Sequence, residues 1–279
     1  MWTNSEATPL PAKVFVILRD LIHETTGHFY EQDKADILAE KLSHRILELN
    51  FGSFLDYYYL LKYGPDAEKE WPHVLNALSV QETYFGREMV QIDSFVSKIL
   101  PQYVRDAPYK PVEIWCAACA TGEEPLTIAI ALNESGWFQR IQVNITATDA
   151  SSTAISKAAR GLYRERSFRV LSEPLREKYF RASEHGWQID PSLGSRVHFA
   201  CANLVAPETA AMYGRVPFIF CRNVFIYFSD VAMQQTLDNF AKNMTRPGYL
   251  FVGASESLLR LNTEFELQSV GDAFAYSLE

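Results

Sequence analysis

The feature that most constrains this chain is a change of hydrophobic period near Pro111. Before it, Val14, Ile17, Leu18, Leu21 and Ile22 recur at three- and four-residue spacing, as do Ile37, Leu38, Leu42, Ile46 and Leu47. That spacing lines apolar side chains along one helical face, and no two-residue alternation interrupts it from Pro9 to about Tyr103. After Pro111, short apolar runs at 112–116 and 143–148 alternate with helical segments at 125–132 and 153–159. Strands separated by helices predict a parallel sheet covered on both faces, so the chain reads as a small helical bundle followed by an α/β domain.

Within the first third, Asp33 and Ser53 are expected N-caps, and Gly27, Gly52 and Gly64-Pro65 expected stops. Further on, the α/β pattern resumes with a buried strand at 216–221, a helix at 231–244 and a strand at 249–253. A hairpin from 265–267 and 273–276 ends it. Between these halves a polar stretch, about 179–202, has turn residues Gly186, Pro191 and Gly194 and β-prone pieces at 187–189 and 197–199. It reads as a small β insertion. The expected domains are therefore 1–80, helical, and 81–279, α/β with the insertion.

With 279 residues, 48% of them hydrophobic and 22% charged, the chain can bury a core without staples. A net charge of -8 disfavours nucleic acid or anionic lipid as the main partner. The apolar run 14–22 is broken by Arg19 and Asp20, which argues against a signal or membrane-spanning segment. Cys116, Cys119, Cys201 and Cys221 do not make a disulfide framework and fit a reducing compartment, so a cytoplasmic protein is expected.

Two places look chemical. Trp115-Cys-Ala-Ala-Cys-Ala-Thr-Gly-Glu-Glu-Pro125 links an expected strand to an expected helix, where a nucleotide-like ligand meets backbone amides in doubly wound folds. Only Gly122 of a glycine fingerprint is present, so a plain tight turn fits the spacing equally. Asp149 ends the next strand, where an acidic residue accepts from ribose hydroxyls, or caps the helix that follows at Ser151-Ser152. Cys116-Ala-Ala-Cys119 has redox spacing but coincides with the turn and is better read as small apolar packing. The six histidines show no metal spacing, and no metal is expected.

A series of longer motifs resembles the chemotaxis receptor methyltransferases. They are Gln81-Glu-Thr-Tyr-Phe-Gly-Arg87, Thr121-Gly-Glu-Glu-Pro125, Ala147-Thr-Asp149, Arg160-Gly-Leu-Tyr163, Phe220-Cys-Arg-Asn-Val-Phe-Ile-Tyr-Phe228 and Gly253-Ala-Ser-Glu-Ser257, in the family's order. The resemblance covers about Val80 to the C-terminus, the helical part matching in kind more than in residues. It implies a class I S-adenosylmethionine-dependent methyltransferase fold, a doubly wound Rossmann-like sheet preceded by an all-α domain. It also implies a protein glutamate as acceptor, on chemoreceptor cytoplasmic helices or another signalling protein, with S-adenosylhomocysteine as co-product.

By position, the resemblance assigns cofactor contacts to Gln81, Thr83, Arg87, Glu124, Asp149, Asn203, Leu204, Asn223 and Val224. It places Arg87, Arg222 and Tyr227 nearest the transferred methyl. Read from the residues alone, Glu124 could equally favour a helix N-terminus and Tyr227 could fill core. Two rivals to the enzymatic reading are a non-catalytic S-adenosylmethionine-binding regulatory module and a nicotinamide-dependent oxidoreductase, the latter discouraged by the lone glycine.

Three departures from the family stand out. Gly86 replaces a usual phenylalanine, which implies a looser backbone and less apolar cover over the cofactor. Gln81 replaces a usual asparagine. The basic helix that some members present to receptors is near neutral here, because Lys34, Lys41 and Arg45 interleave with Asp36, Glu40 and Glu48.

Overall fold

The computed structural model describes residues 9–107 and 110–279, so the first eight residues of the expected helical domain lie outside the described residues. Four helices form the bundle: α1 Ala12–Thr26, α2 Ala35–Glu48, α3 Phe54–Tyr63 and α4 Ala67–Leu78. Most of the periodic positions meet in one core, with Phe15, Leu18 and Ile22 of α1 against Leu38, Leu42 and Ile46 of α2 and Tyr57, Leu61, Val74 and Leu78 beyond, whereas Ile17, Ile37 and Leu47 lie at the exposed margin of their helices. Ser53 caps α3, its hydroxyl accepting from the Asp56 amide. Asp33 does not cap; it lies in a short 3-10 turn ahead of α2, whose start has no side-chain cap.

Gly27 ends α1 in a left-handed conformation (φ 76°). A Cβ there would lie 2.6 Å from Val205 Cγ1, so the glycine also permits close approach of the α/β domain. The stop expected at Gly52 falls instead at Asn50 (φ 56°), a residue whose short polar side chain tolerates that region. Inside the bundle Glu70, 5% exposed, accepts from Arg45 Nε (2.8 Å), Arg45 Nη2 (2.6 Å) and Tyr57 Oη (2.7 Å). Burial opposes its ionisation, but these bonds hold the carboxyl below its ordinary range.

The linking segment runs into α5 Met89–Ser94, a π-helical turn Phe95–Ile99 and α6 Leu100–Asp106. Phe95 anchors this element by edge-on contacts with Phe218, Phe220 and Phe251. The α/β domain then alternates: β1 Val112–Ala117, α7 Glu123–Glu134, β2 Val143–Asp149 and α8 Ser152–Arg160. After β3 Leu162–Tyr163 come α9 Glu173–Tyr179, β4 Phe180–Ser183, β5 Gly186–Ile189, α10 Pro191–Gly194 and β6 Val197–Cys201. The chain closes with α11 Pro207–Tyr213, β7 Phe218–Phe220, α12 Asp230–Asn243, β8 Gly248–Phe251, β9 Glu266–Val270 and β10 Ala273–Leu278.

The main sheet has the order β6-β2-β1-β7-β8-β10-β9. Its first five strands are parallel, and β10 is antiparallel to both neighbours, so the expected hairpin is present. β1 and β7 are apolar throughout their buried positions because separate apolar layers cover the two faces of the sheet. This is the doubly wound arrangement expected from the sequence.

One strand assignment needs correction. The piece at 197–199, grouped by sequence with the insertion, is part of β6 and forms the parallel edge of the main sheet against β2. The second sheet has the order β3-β5-β4, so the insertion recruits the two-residue β3 from upstream. An edge strand with one partly open face carries the same weak alternation as an insertion strand, which is why the two were indistinguishable by pattern.

Candidate active site

The strand order reverses between β1 and β7, and doubly wound sheets bind ligands beyond the carboxyl ends of strands at such a point. Here the segments after β1, β2, β6 and β7 converge. The loop after β1 holds Ala118 (φ 59°), Ala120 (φ 48°) and Gly122 (φ 92°) in left-handed conformations. For each alanine this costs about 1–2 kcal/mol. The loop is tied down by the Cys119 amide donating to Thr148 O (2.8 Å) and the Ala120 amide donating to Asp149 Oδ2 (2.9 Å).

Asp149 Oδ1 accepts from the Ser151 amide at 2.8 Å, while Ser151 itself caps α8. The carboxylate therefore braces the loop and the helix entry together and still faces the cleft. Burial raises its pKa, opposed by the Ser151 and Ala120 amides.

The cleft has two chambers that share Val80, Ala118, Ala120 and Asn223. Asp149, Asn203, Leu204, Val224 and Tyr227 line the first chamber; Thr83, Arg87, Glu124 and Arg222 line the second. Of the residues assigned from sequence, only Gln81 lines neither. Its Nε2 donates to Ser151 Oγ (3.4 Å) and its Oε1 accepts from Lys157 Nζ (2.7 Å), so it borders an adjoining groove and reaches the cleft only through Ser151.

The second chamber is built on a buried charge cluster. Arg222, with its side chain 1% exposed, donates from Nη2 to Arg87 O (2.7 Å) and Glu88 Oε2 (3.2 Å). Its Nη1 stands 3.3 Å from Glu124 Oε2, yet neither Nη1 nor Nε has a hydrogen-bond partner. Burial pushes the Glu124 carboxyl up, with Arg222 opposing and Glu88 reinforcing the shift. Asn223, left-handed at φ 60°, donates from Nδ2 to Glu88 Oε1 (3.2 Å), and its amide donates to Glu256 Oε2 (2.8 Å). At the rim, Arg87 has its side chain 29% exposed, bonds Glu82 O from Nη1 (3.2 Å) and approaches Glu88 only to 4.0 Å.

Sequence reasoning missed three contributors. Glu88 and Glu256 brace the cluster, the latter also accepting from the Gly253 amide (2.7 Å). Glu256 stood in a recognised motif without a role, and Glu88 simply follows Arg87. The third is the helical domain, whose Thr26, His28, Leu75 and Ser79 line the first chamber. Bonds between the domains hold it there: Asn203 Nδ2 donates to Thr25 O (2.7 Å), the Phe29 amide to Tyr227 O (2.9 Å) and Ser151 Oγ to Asn76 Oδ1 (2.8 Å). His28 stacks on Tyr227 at 6.0 Å, its Nδ1 unpartnered, and burial lowers its pKa to about 4.

Gly86 does not open the cover over the cofactor chambers as the sequence implied. It is left-handed (φ 77°), and a Cβ there would point at Val170 Cγ2, 3.3 Å away, on neither chamber's wall. The cysteines of the turn, Cys116 and Cys119, are buried free thiols pushed well above their ordinary range by burial.

The donor set fits S-adenosylmethionine. A buried guanidinium with hydrogen-bonding capacity left at Nε and Nη1 suits a ligand carboxylate, and Glu124 suits an ammonium group. Glu88, Glu124 and Glu256 outnumber Arg87 and Arg222, leaving a surplus negative charge for a sulfonium. Comparisons with known proteins agree. The family described as "CheR methyltransferase, SAM binding domain" matches residues 81–273, and "CheR methyltransferase, all-alpha domain" matches residues 13–79. Chemotaxis protein methyltransferase 2 of Vibrio cholerae serotype O1 is 32% identical over 94% of this chain and 91% of its own. The chemotaxis protein methyltransferase of Klebsiella aerogenes is 30% identical over 95% and 90%. A probable biofilm formation methyltransferase, WspC of Pseudomonas putida, is 27% identical over 91% and 59%. With both family domains matched in succession over residues 13–79 and 81–273 and a cleft that fits the donor, this chain belongs to the CheR family of S-adenosylmethionine-dependent methyltransferases.

Proposed function

We propose that the enzyme esterifies glutamate side chains on the cytoplasmic helices of a chemotaxis receptor. The observation that supports this reading best is Arg87. Its guanidinium sits half-open at the rim of the chamber, engaged by one carbonyl and a distant carboxylate. A planar fork in that position holds an incoming carboxylate in a fixed orientation. An acceptor glutamate, with an ordinary pKa near ~4.3, arrives already ionised and needs no general base.

S-adenosylmethionine, when bound, supplies an activated methyl on a sulfonium. The chain's part is placement. Glu124 and Arg222 hold the amino-acid end, with Thr83 beside them. Asp149 and Asn203 take the ribose side, Leu204, Asn223 and Val224 bound the base, and Tyr227 walls the methyl, with Gln81 steadying Ser151 behind Asp149. Such positioning is worth roughly 7–11 kcal/mol at best. We further propose that the functional division falls at residue 80/81, the helical domain closing the nucleoside chamber. Among the described residues no helix is long and apolar enough to cross a membrane, and we place the reaction in the cytoplasm.

The test is incubation of the enzyme with receptor-bearing membranes and methyl-labelled donor. Base-labile label on a receptor band is expected. Label that survives base, or that appears only on other proteins, would refute the glutamate or the receptor assignment respectively.

A further inference from the structure

The segment 157–169 departs from the rest of this acidic chain. It carries Lys157, Arg160, Arg164, Arg166 and Arg169 against a single acid, Glu165. All five basic residues are exposed. Glu165 is already engaged by Arg176 (2.5 Å) and Trp187 Nε1 (3.0 Å). Arg160, Arg164 and Arg166 form no ion pair among the described residues, although acidic side chains outnumber basic ones overall, 34 to 26.

These side chains line one broad groove between α8 and the insertion sheet, with Lys157 and His185 on the same wall. Its acidic members offer little compensation: Glu123 is buried and already bonded by Thr121 (2.6 Å) and Ser167 (2.9 Å), which leaves Glu184. The groove lies beside the active site, with Gln81 on its wall and the next residue, Glu82, on the wall of the second chamber. Arg169 pairs with Glu82 at 2.8 Å and stacks over Tyr84 at 3.7 Å, both residues of the second chamber's rim.

The basic residues of the helical domain considered from sequence are already engaged. On α2, Lys41 donates to Leu78 O (3.1 Å), and Arg45 is bound by Glu70 and Glu48. Exposed, unpaired arginines gathered beside a reaction centre concentrate positive potential on an otherwise acidic chain and so favour an anionic partner.

We infer that this groove is the docking track for the acceptor, an acidic segment flanking the methylated glutamate, and that Arg160, Arg164 and Arg166 set acceptor affinity. This rests on the reading that the acceptor is a protein glutamate. The occupant follows from charge complementarity: a segment rich in glutamate meets unpaired cations on the way to Arg87.

The test combines the triple variants R160E/R164E/R166E and R160K/R164K/R166K. Both should keep the wild-type melting temperature and affinity for S-adenosylhomocysteine, since none of the three lines either cofactor chamber. The glutamate variant should raise KM for the methylated protein about tenfold or more, leave kcat within about twofold and flatten the salt dependence of kcat/KM. The lysine variant should restore most of the affinity. A fluorescein-labelled glutamate-rich helical peptide, followed by anisotropy, should bind the wild type and not the glutamate variant. Unchanged KM and unchanged peptide binding would overturn the inference, as would tighter binding of single-stranded DNA than of the peptide. Arginine-dependent peptide binding by an enzyme that methylates no protein glutamate would sustain the groove and remove the proposed function instead.

Discussion

Two arginine–carboxylate clusters among the described residues bear comparison, one around buried Glu70 in the bundle and one around buried Arg222 in the cleft. In the helical bundle, both Glu70 oxygens are taken by Arg45, one of them also by Tyr57, and the carboxyl is held below its ordinary range. In the cleft, Arg222 is more deeply buried, yet its Nη1 meets Glu124 only as a 3.3 Å ion pair without a hydrogen bond, its Nε has no hydrogen bond, and burial pushes Glu124 up. A complete cluster has no further use for a ligand. An incomplete one inside a cleft leaves donors that a ligand can engage, and this contrasts a group serving the fold with one placed for chemistry.

The strongest attack on that comparison is Arg222→Met. Transfer should fall by about 10²–10³-fold, the scale for removing one preorganised charged donor, with weakened S-adenosylhomocysteine binding by calorimetry. Its melting temperature should move less than that of Glu70→Ala. The latter should lose about 3 kcal/mol, because Arg45 is left half-buried without its anion, and keep per-molecule activity below its lowered melting point. Reversed behaviour of the two variants in denaturation and activity assays would abolish the distinction.

Arg87→Lys sharpens it. The charge stays but the fork is lost, so turnover should drop about 10–100-fold with cofactor affinity little changed if Arg87 serves the acceptor. A parallel loss of affinity would move Arg87 to the cofactor's own carboxylate. Asp149→Ala should weaken S-adenosylmethionine and its product alike by about tenfold, since a charge-assisted bond is lost and the left-handed loop loses its tether. Equal affinities before and after would take Asp149 out of the site.

The smallest effect concerns His28. Its folded pKa of about 4 lies below the ordinary 6.5, so between these values the unfolded chain binds more protons. The neutral ring therefore contributes stability that is present above pH 6.5 and fades as pH falls toward 4. His28→Gln should flatten the melting temperature against pH in that window, and an unchanged slope would assign the acid sensitivity elsewhere.

The repeating strand–helix pattern was legible because parallel strands buried on both faces must be apolar, as β1 and β7 are. β3 was invisible at two residues, and β6 was misplaced because an edge strand shows only weak alternation. That the assigned residues on the loops after strands would line one cleft was readable from motif and position. What could not be read was anything assembled across the chain: Glu88 reaching Arg222, Glu256 gathering the Asn223 and Gly253 amides, or His28 arriving beside Tyr227. Gly86 shows the opposite error, a local substitution overread because its direction was unknown.

The first chamber takes its walls from α1 and α4 as well as from the sheet, and this bears on how the enzyme can be taken apart. A chimaera joining residues 81–279 to a foreign helical bundle would inherit a mismatched lid over the nucleoside, whatever its catalytic motifs. On the proposed reading, donor affinity and bundle folding would be inherited together, and recombination between relatives would disturb that chamber least where the crossover avoids the contacts of Thr26, His28, Leu75 and Ser79.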